Sequence, residues 1–124
     1  MKVYSYPLGD DGLINGPRKT IVDFGEEDGA DGMCVDVKGH VYLAARSQKR
    51  PGILVIDPDG KEVAFIPTSP TQSGSKKPVG IPSNCTFGIG KESKVLYVTV
   101  DTSLYRIRLN VDGHHIPWAK DIRK

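Results

Sequence analysis

Short apolar runs recur along the chain, each bounded by polar or turn-forming residues. The stretches KVYSYPL, KTIVDF, GMCVDV, HVYLAA, GILVIDP, EVAFIPT, CTFGI, VLYVTV and SLYRIRL are rich in β-branched and aromatic side chains, and many alternate apolar with polar positions. That period of two predicts β-strands with one face turned inward. No stretch of about ten residues keeps a 3.6-residue apolar period free of Gly or Pro, so no helix is predicted. Between the runs stand Asp11-Gly12, Lys38-Gly39, Asp59-Gly60 and Asp112-Gly113. Such pairs supply a positive φ at little steric cost, and each predicts a tight hairpin.

The runs repeat in a fixed order. VYSYPLGDDG, ILVIDPDG and LYRIRLNVDG align as alternating strands ending in Asp-Gly, with Gly12, Gly60 and Gly113 spaced by 48 and 53 residues. HVYLAA aligns with VLYVTV at a separation of 54, and DGMCVD aligns with PSNCTF, which sets Cys34 against Cys85. Four strands in about 50 residues is the period of a β-propeller blade. The predicted fold is therefore all-β, a β-propeller entered partway through a blade. Residues 2–24 end one blade, 25–68 form a complete blade, 69–113 form the next, and 114–124 are a C-terminal tail. This amounts to about two and a half blades, fewer than the four to eight of a closed ring. Missing blades or a second copy of the chain are expected to complete it. A non-repeating sandwich or small barrel has the same strand content. Three strand pairs recurring in register favour the propeller.

Composition narrows the partners. The chain has 124 residues, 38% hydrophobic and 26% charged, with a formal charge of +2. No Lys/Arg run exceeds two residues, and no basic stripe is interleaved with aromatics, so neither nucleic acid nor an anionic membrane is expected. The apolar runs are far shorter than the roughly 20 residues that span a bilayer. MKVYSYPLGDDG lacks the apolar core of a secretory signal. A soluble protein is expected, its compartment open between cytoplasm and periplasm or secretion. The two cysteines make no disulfide framework, and each lies in an apolar segment where thiols are commonly buried and inert.

The placement of Asp31 is the chemical question. In a propeller the first strand of each blade lines the central channel. Asp31 follows the inter-blade connection GEEDGA and precedes such a strand, which puts it at the channel mouth beside groups from neighbouring blades. Gly32 removes a Cβ there and allows a close approach of backbone or ligand. A hard cation held by carboxylate and amide oxygens fits this place, and so does a plain Asp-Gly turn; geometry alone leaves both open. Asp36, Asp57, Asp59 and Asp112 sit at tight turns of the opposite face and read as turn residues. Glu26, Glu27 and Asp28 lack the spacing of a calcium loop.

ADGMCVDVKGHVYLAA, GILVIDPDGK, PSNCTFGIGKESKVLYVT and LYRIRLNVDG resemble the C-terminal half of the gluconolactonase/regucalcin (senescence marker protein) family. The resemblance runs to about Gly113, and its most specific piece is D-G-M-C-V-D. It implies a six-bladed propeller with one divalent metal, Ca2+ or Zn2+, in the channel, and hydrolysis of sugar lactones. It implies ligation by a Glu near the N-terminus, an Asn of a middle blade, and the Asp of the D-G-M-C stretch. That Asp matches Asp31, which the resemblance also makes the candidate general base. The Glu and the Asn fall in family sequence that would precede Met1. Asn15 lies in a turn on the wrong face. Asn84 starts an inner strand but aligns with Met33 rather than Asp31, so a structural role on buried backbone is expected of it. A single carboxylate does not hold calcium, which takes six to eight oxygens. The chain therefore reads as part of a metal-dependent lactonase acting on a small-molecule lactone. The alternative is a non-catalytic partial propeller that binds or assembles through open blade edges.

Two loops share the face of Asp31. Residues 66–83, IPTSPTQSGSKKPVGIPS, form a long irregular rim in which Lys76 and Lys77 are candidate contacts for a polar or acidic ligand. RSQKRPG offers Arg46, Ser47 and Gln48 for a sugar's hydroxyls, with Asn84 nearby. His114 and His115 are adjacent and point to opposite sides of an extended chain, which favours surface or packing roles over a shared metal. Trp118 is expected to pack the terminus down.

Overall fold

A computed structural model of the chain describes residues 1–69 and 80–116. Within them nine strands form three antiparallel sheets, each a plain meander without crossovers. β1 (Lys2–Ser5) pairs with β2 (Lys19–Asp23). β3 (Ala30–Val35), β4 (Val41–Ala45), β5 (Gly52–Ile56) and β6 (Glu62–Pro67) make a four-stranded sheet. β7 (Pro82–Phe87), β8 (Val95–Val100) and β9 (Ser103–Arg108) make a three-stranded one. A 3-10 turn at Gly90–Glu92 interrupts the β7–β8 connection. The all-β, partial-propeller expectation holds. Among the described residues no helix is long and apolar enough to cross a membrane.

The two central strands of the middle sheet, β4 and β5, are buried on both faces, because VYLAA and GILVI are apolar at every position. Tyr42 and Ala44 lie across from Val55 and Ile53, and these four pack with Cys85, Phe87, Leu96, Val98 and Val100 of the third sheet. Tyr42 and Phe87 meet edge to face with centroids 5.1 Å apart. Leu43, Ala45 and Ile56 alternate with that set and are buried on the other face. Each such Leu or Ile contributes about 1.5–3 kcal/mol by leaving water. A sheet apolar on both sides must be flanked on both sides, which is what stacking blades achieves. β9, by contrast, exposes all six of its residues.

The β3–β4 and β5–β6 hairpins use one device. Asp57 Oδ1 accepts the amides of Asp59 and Lys61 at 3.0 and 2.9 Å, and Asp36 Oδ1 accepts those of Lys38 and His40 at 2.9 and 3.0 Å. Gly39 and Gly60 then take φ of 83° and 90°. Asp36 does more than the expected turn residue. It is only 2% exposed, and its Oδ2 meets His40 Nδ1 at 2.8 Å and accepts the Tyr42 hydroxyl at 3.1 Å. Burial opposes its charge, but the bonds from His40, Lys38 and Tyr42 outweigh it and hold the carboxyl below the usual range. Burial, followed by the Asp36 charge, pushes the Tyr42 phenol up.

The Asp112-Gly113 hairpin does not form. Gly113 keeps out of the positive-φ region and bridges Asp36 instead. The Val37 amide donates to the Asp112 carbonyl at 3.0 Å, and the His114 amide to that of Val35 at 2.9 Å. The returning chain satisfies backbone at the end of β3, which a hairpin would leave bare. Glycine is needed at 113 for space, since a Cβ would run into the Phe87 side chain.

Candidate functional site

β3 and β7 are the first strands of the second and third sheets, and they pack against each other. At Gly32 the two strands run close together. A Cβ there would overlap the Asn84 side chain and lie 2.8 Å from its Cα. The close approach that Gly32 permits is thus made by the neighbouring strand. Both strands are irregular at this end. The β3–β4 register shifts between Ala30 and Met33, and the β7–β8 register between Pro82 and Asn84. Such bulges re-aim side chains, and Asp31 sits inside the first one.

Asp31 is held from β4. Arg46, the residue after that strand, donates its amide to the Gly29 carbonyl at 2.9 Å and its Nη1 to Asp31 Oδ2 at 2.8 Å. Both side chains are about half exposed, 51% for Asp31 and 44% for Arg46. Sequence reasoning placed both residues on this face but did not pair them. The pairing follows from Ala30 standing opposite Ala45, a register that only the folded hairpin defines.

The other candidates divide. Asn84 Oδ1 accepts the Cys85 amide at 2.8 Å, and the Asn84 carbonyl accepts the Thr99 hydroxyl at 3.3 Å. Ser47 Oγ accepts the Arg50 amide at 3.3 Å, and Gln48 is exposed. Arg50 is fully engaged, forked onto Glu62 at 2.6 and 3.0 Å and stacked over Phe65. Lys76, Lys77 and Trp118 lie outside the described residues.

These residues do not by themselves make a metal centre. Among the described residues no three His, Cys, Asp or Glu side chains converge on one point. Asp31 offers hard oxygen, but Arg46 already occupies Oδ2, and the Asn84 amide oxygen is turned to its own backbone.

Further along β3 and β7 lies a cleft of about 510 Å³ lined by Cys34, Val35, Thr86, Phe87, His114, His115 and Ile116. His115 Nε2 meets the Gly88 carbonyl at 3.0 Å. Here Cys34 and Cys85 face each other, with Sγ atoms 3.7 Å apart and both thiols free. Contact with Cys85, together with burial, pushes the Cys34 thiol up. The repeat that aligned Cys34 with Cys85 was the signal for this contact, since equivalent positions of successive inner strands lie side by side.

Comparison with known proteins places the chain. Residues 1–102 match the family model described as the SMP-30/Gluconolactonase/LRE-like region. The chain is 31% identical to regucalcin from Danio rerio over 101 residues, which cover 80% of this chain and 30% of that protein. The X-ray structure of a protein assigned as a gluconolactonase superposes with a TM-score of 0.67 at 30% identity, covering 93% of this chain and 34% of that one. The chain thus spans about a third of the length of these relatives. With antiparallel meander sheets and a family-model match over residues 1–102, the chain belongs to the SMP-30/gluconolactonase/regucalcin-like family.

Proposed function

We propose that this chain carries one corner of a site that hydrolyses sugar lactones, with Asp31 as the general base. The observation that carries the reading is the position of that carboxylate: in a bulge at the start of β3, half exposed, and held through one oxygen by Arg46. In this reading Asp31 Oδ1 takes a proton from a water as the water oxygen attacks the lactone carbonyl carbon. The ring C–O bond then breaks, and the proton passes to the departing ring oxygen, giving the open hydroxy acid. Arg46 positions the carboxylate, and its charge lies near the product's new carboxylate. Gln48 and Ser47 are the candidate contacts for sugar hydroxyls, Lys76 and Lys77 remain candidates for a polar or acidic group of the ligand, and Asn84 is a further rim candidate. The divalent ion implied by the resemblance, Ca2+ or Zn2+, would take Asp31 as one donor and need its others from outside this chain. When bound, such an ion polarises a carbonyl; the steps assigned to Asp31 and Arg46 do not run through it.

The test is sugar-lactone hydrolysis by the whole protein and its Asp31→Asn variant. Loss of about 10²-fold or more in rate with an unchanged melting temperature is the expected result. Activity retained in that variant overturns the assignment. A second reading, a non-catalytic assembly module, is favoured by β9, where Leu104 and Tyr105 are 66% and 58% exposed on a strand whose outer edge has no partner among the described residues. It predicts no lactone turnover and a mass in solution above that of one chain.

A further inference from the structure

The two cysteines take no part in lactone chemistry, yet the fold brings them together. Cys34 on β3 and Cys85 on β7 are 51 residues apart in sequence and lie in different sheets, with their sulfurs at 3.7 Å. The backbones already run close here. Gly32, two residues before Cys34, lets β3 approach the Cα of Asn84, the residue before Cys85. Cys85 is 4% exposed and bonds the Tyr42 carbonyl through Sγ at 3.5 Å. Cys34 is half-buried and forms part of the wall of the 510 Å³ cleft. One sulfur is therefore reachable from solvent, and the other waits behind it. A disulfide needs its sulfurs about 2.05 Å apart, so closure requires side-chain rotation and a small shift of two packed strands.

We propose that Cys34 and Cys85 are a modification site, forming a reversible disulfide that staples the middle sheet to the third, with a small disulfide such as glutathione disulfide as oxidant. The step is two successive exchanges. The pair gives up one proton to solvent and shares the other across the 3.7 Å contact, which lowers the Cys85 thiol as it raises that of Cys34. That proton passes to Cys85 as the more exposed Cys34 sulfur attacks one sulfur of the small disulfide and releases the first glutathione thiolate. Cys85, deprotonated in turn, attacks Cys34 Sγ and expels the second. Two protein thiols are oxidised, one glutathione disulfide is reduced to two glutathiones, and the released thiolates take up the two protons. The cross-link closes a 51-residue separation, which restricts the unfolded chain. It also ties together the strands that carry Asp31 and Asn84.

The experiment equilibrates the protein in glutathione buffers of graded redox ratio, quenches it by alkylation, and maps the peptides by mass. The expected result is one Cys34–Cys85 peptide pair, with both thiols lost together. The melting temperature should rise by about 5 °C or more, and dithiothreitol should reverse every change. Cys34→Ser, at the half-buried position, should abolish the rise. Three outcomes overturn the proposal: both thiols still free at the most oxidising ratio, Cys34 arrested as a glutathione adduct, or cross-links between chains only.

Discussion

The guanidinium of Arg46 grips Asp31 Oδ2 at 2.8 Å while the Arg46 amide holds the Gly29 carbonyl at 2.9 Å. One residue thus fastens both the backbone and the carboxylate at the entry of β3. The ion pair is half exposed, so its worth to stability is below ~1 kcal/mol. Arg46→Ala is expected to leave the denaturant midpoint nearly unchanged. It should slow lactone hydrolysis by the whole protein about tenfold, because the carboxylate loses its fixed direction. Parallel urea melts and rate measurements check the split.

Gly32 and Asn84 define a steric limit between the sheets. Gly32→Ala puts a Cβ into the Asn84 side chain and 2.8 Å from its Cα. Part of the clash is with backbone, so the strands must separate, at a cost of about 1–3 kcal/mol. Adding Asn84→Ala should recover only part of the loss, since the Cα remains. Full recovery in the double variant would show that the side chain alone sets the spacing.

Asp36 makes stability depend on acid pH. Its folded pKa lies below the ordinary value of 3.8. Its contribution is therefore complete above that value and is lost as pH falls through the lower, folded one. Asp36→Asn keeps the size but removes the charge that receives His40, Tyr42 and two amides. The variant should be about 3 kcal/mol less stable at pH 7. The gap should narrow only below about pH 4, as read from melting temperatures across pH.

Leu43 and Leu104 are the same residue type in opposite settings, 0% and 66% exposed. Leu43→Ala should cost about 2–5 kcal/mol, whereas Leu104→Ala should shift stability by less than ~0.5 kcal/mol. Equal effects in chemical denaturation would mean that β9 is covered in solution.

How much of this was legible beforehand follows from the range of each interaction. The strands of the middle sheet were readable because HVYLAA and GILVIDP declare themselves by local polarity, and the turns at Gly39 and Gly60 because Asp and Gly act on their own backbone. The repeat that aligned Cys34 with Cys85 carried blade order, and with it the stacking of β3 beside β7. Asp31 was singled out by its place ahead of an inner strand. Gly113 misled, because the dipeptide that makes a hairpin at Asp59-Gly60 here answers to Phe87 and to the bare end of β3.

Residue order alone determined the all-β class, the succession of strands, the tight turns at Gly39 and Gly60 and the family, since these depend on periodicity and on neighbours a few positions away. Tertiary structure alone decided that Arg46 holds Asp31, that Gly32 yields to Asn84, that Asp36 is buried under His40 and Tyr42, and that two thiols meet. Each of these depends on register between strands and on spacing between sheets, and those distances come into being only when the core of Tyr42, Ile53, Phe87 and Leu96 closes.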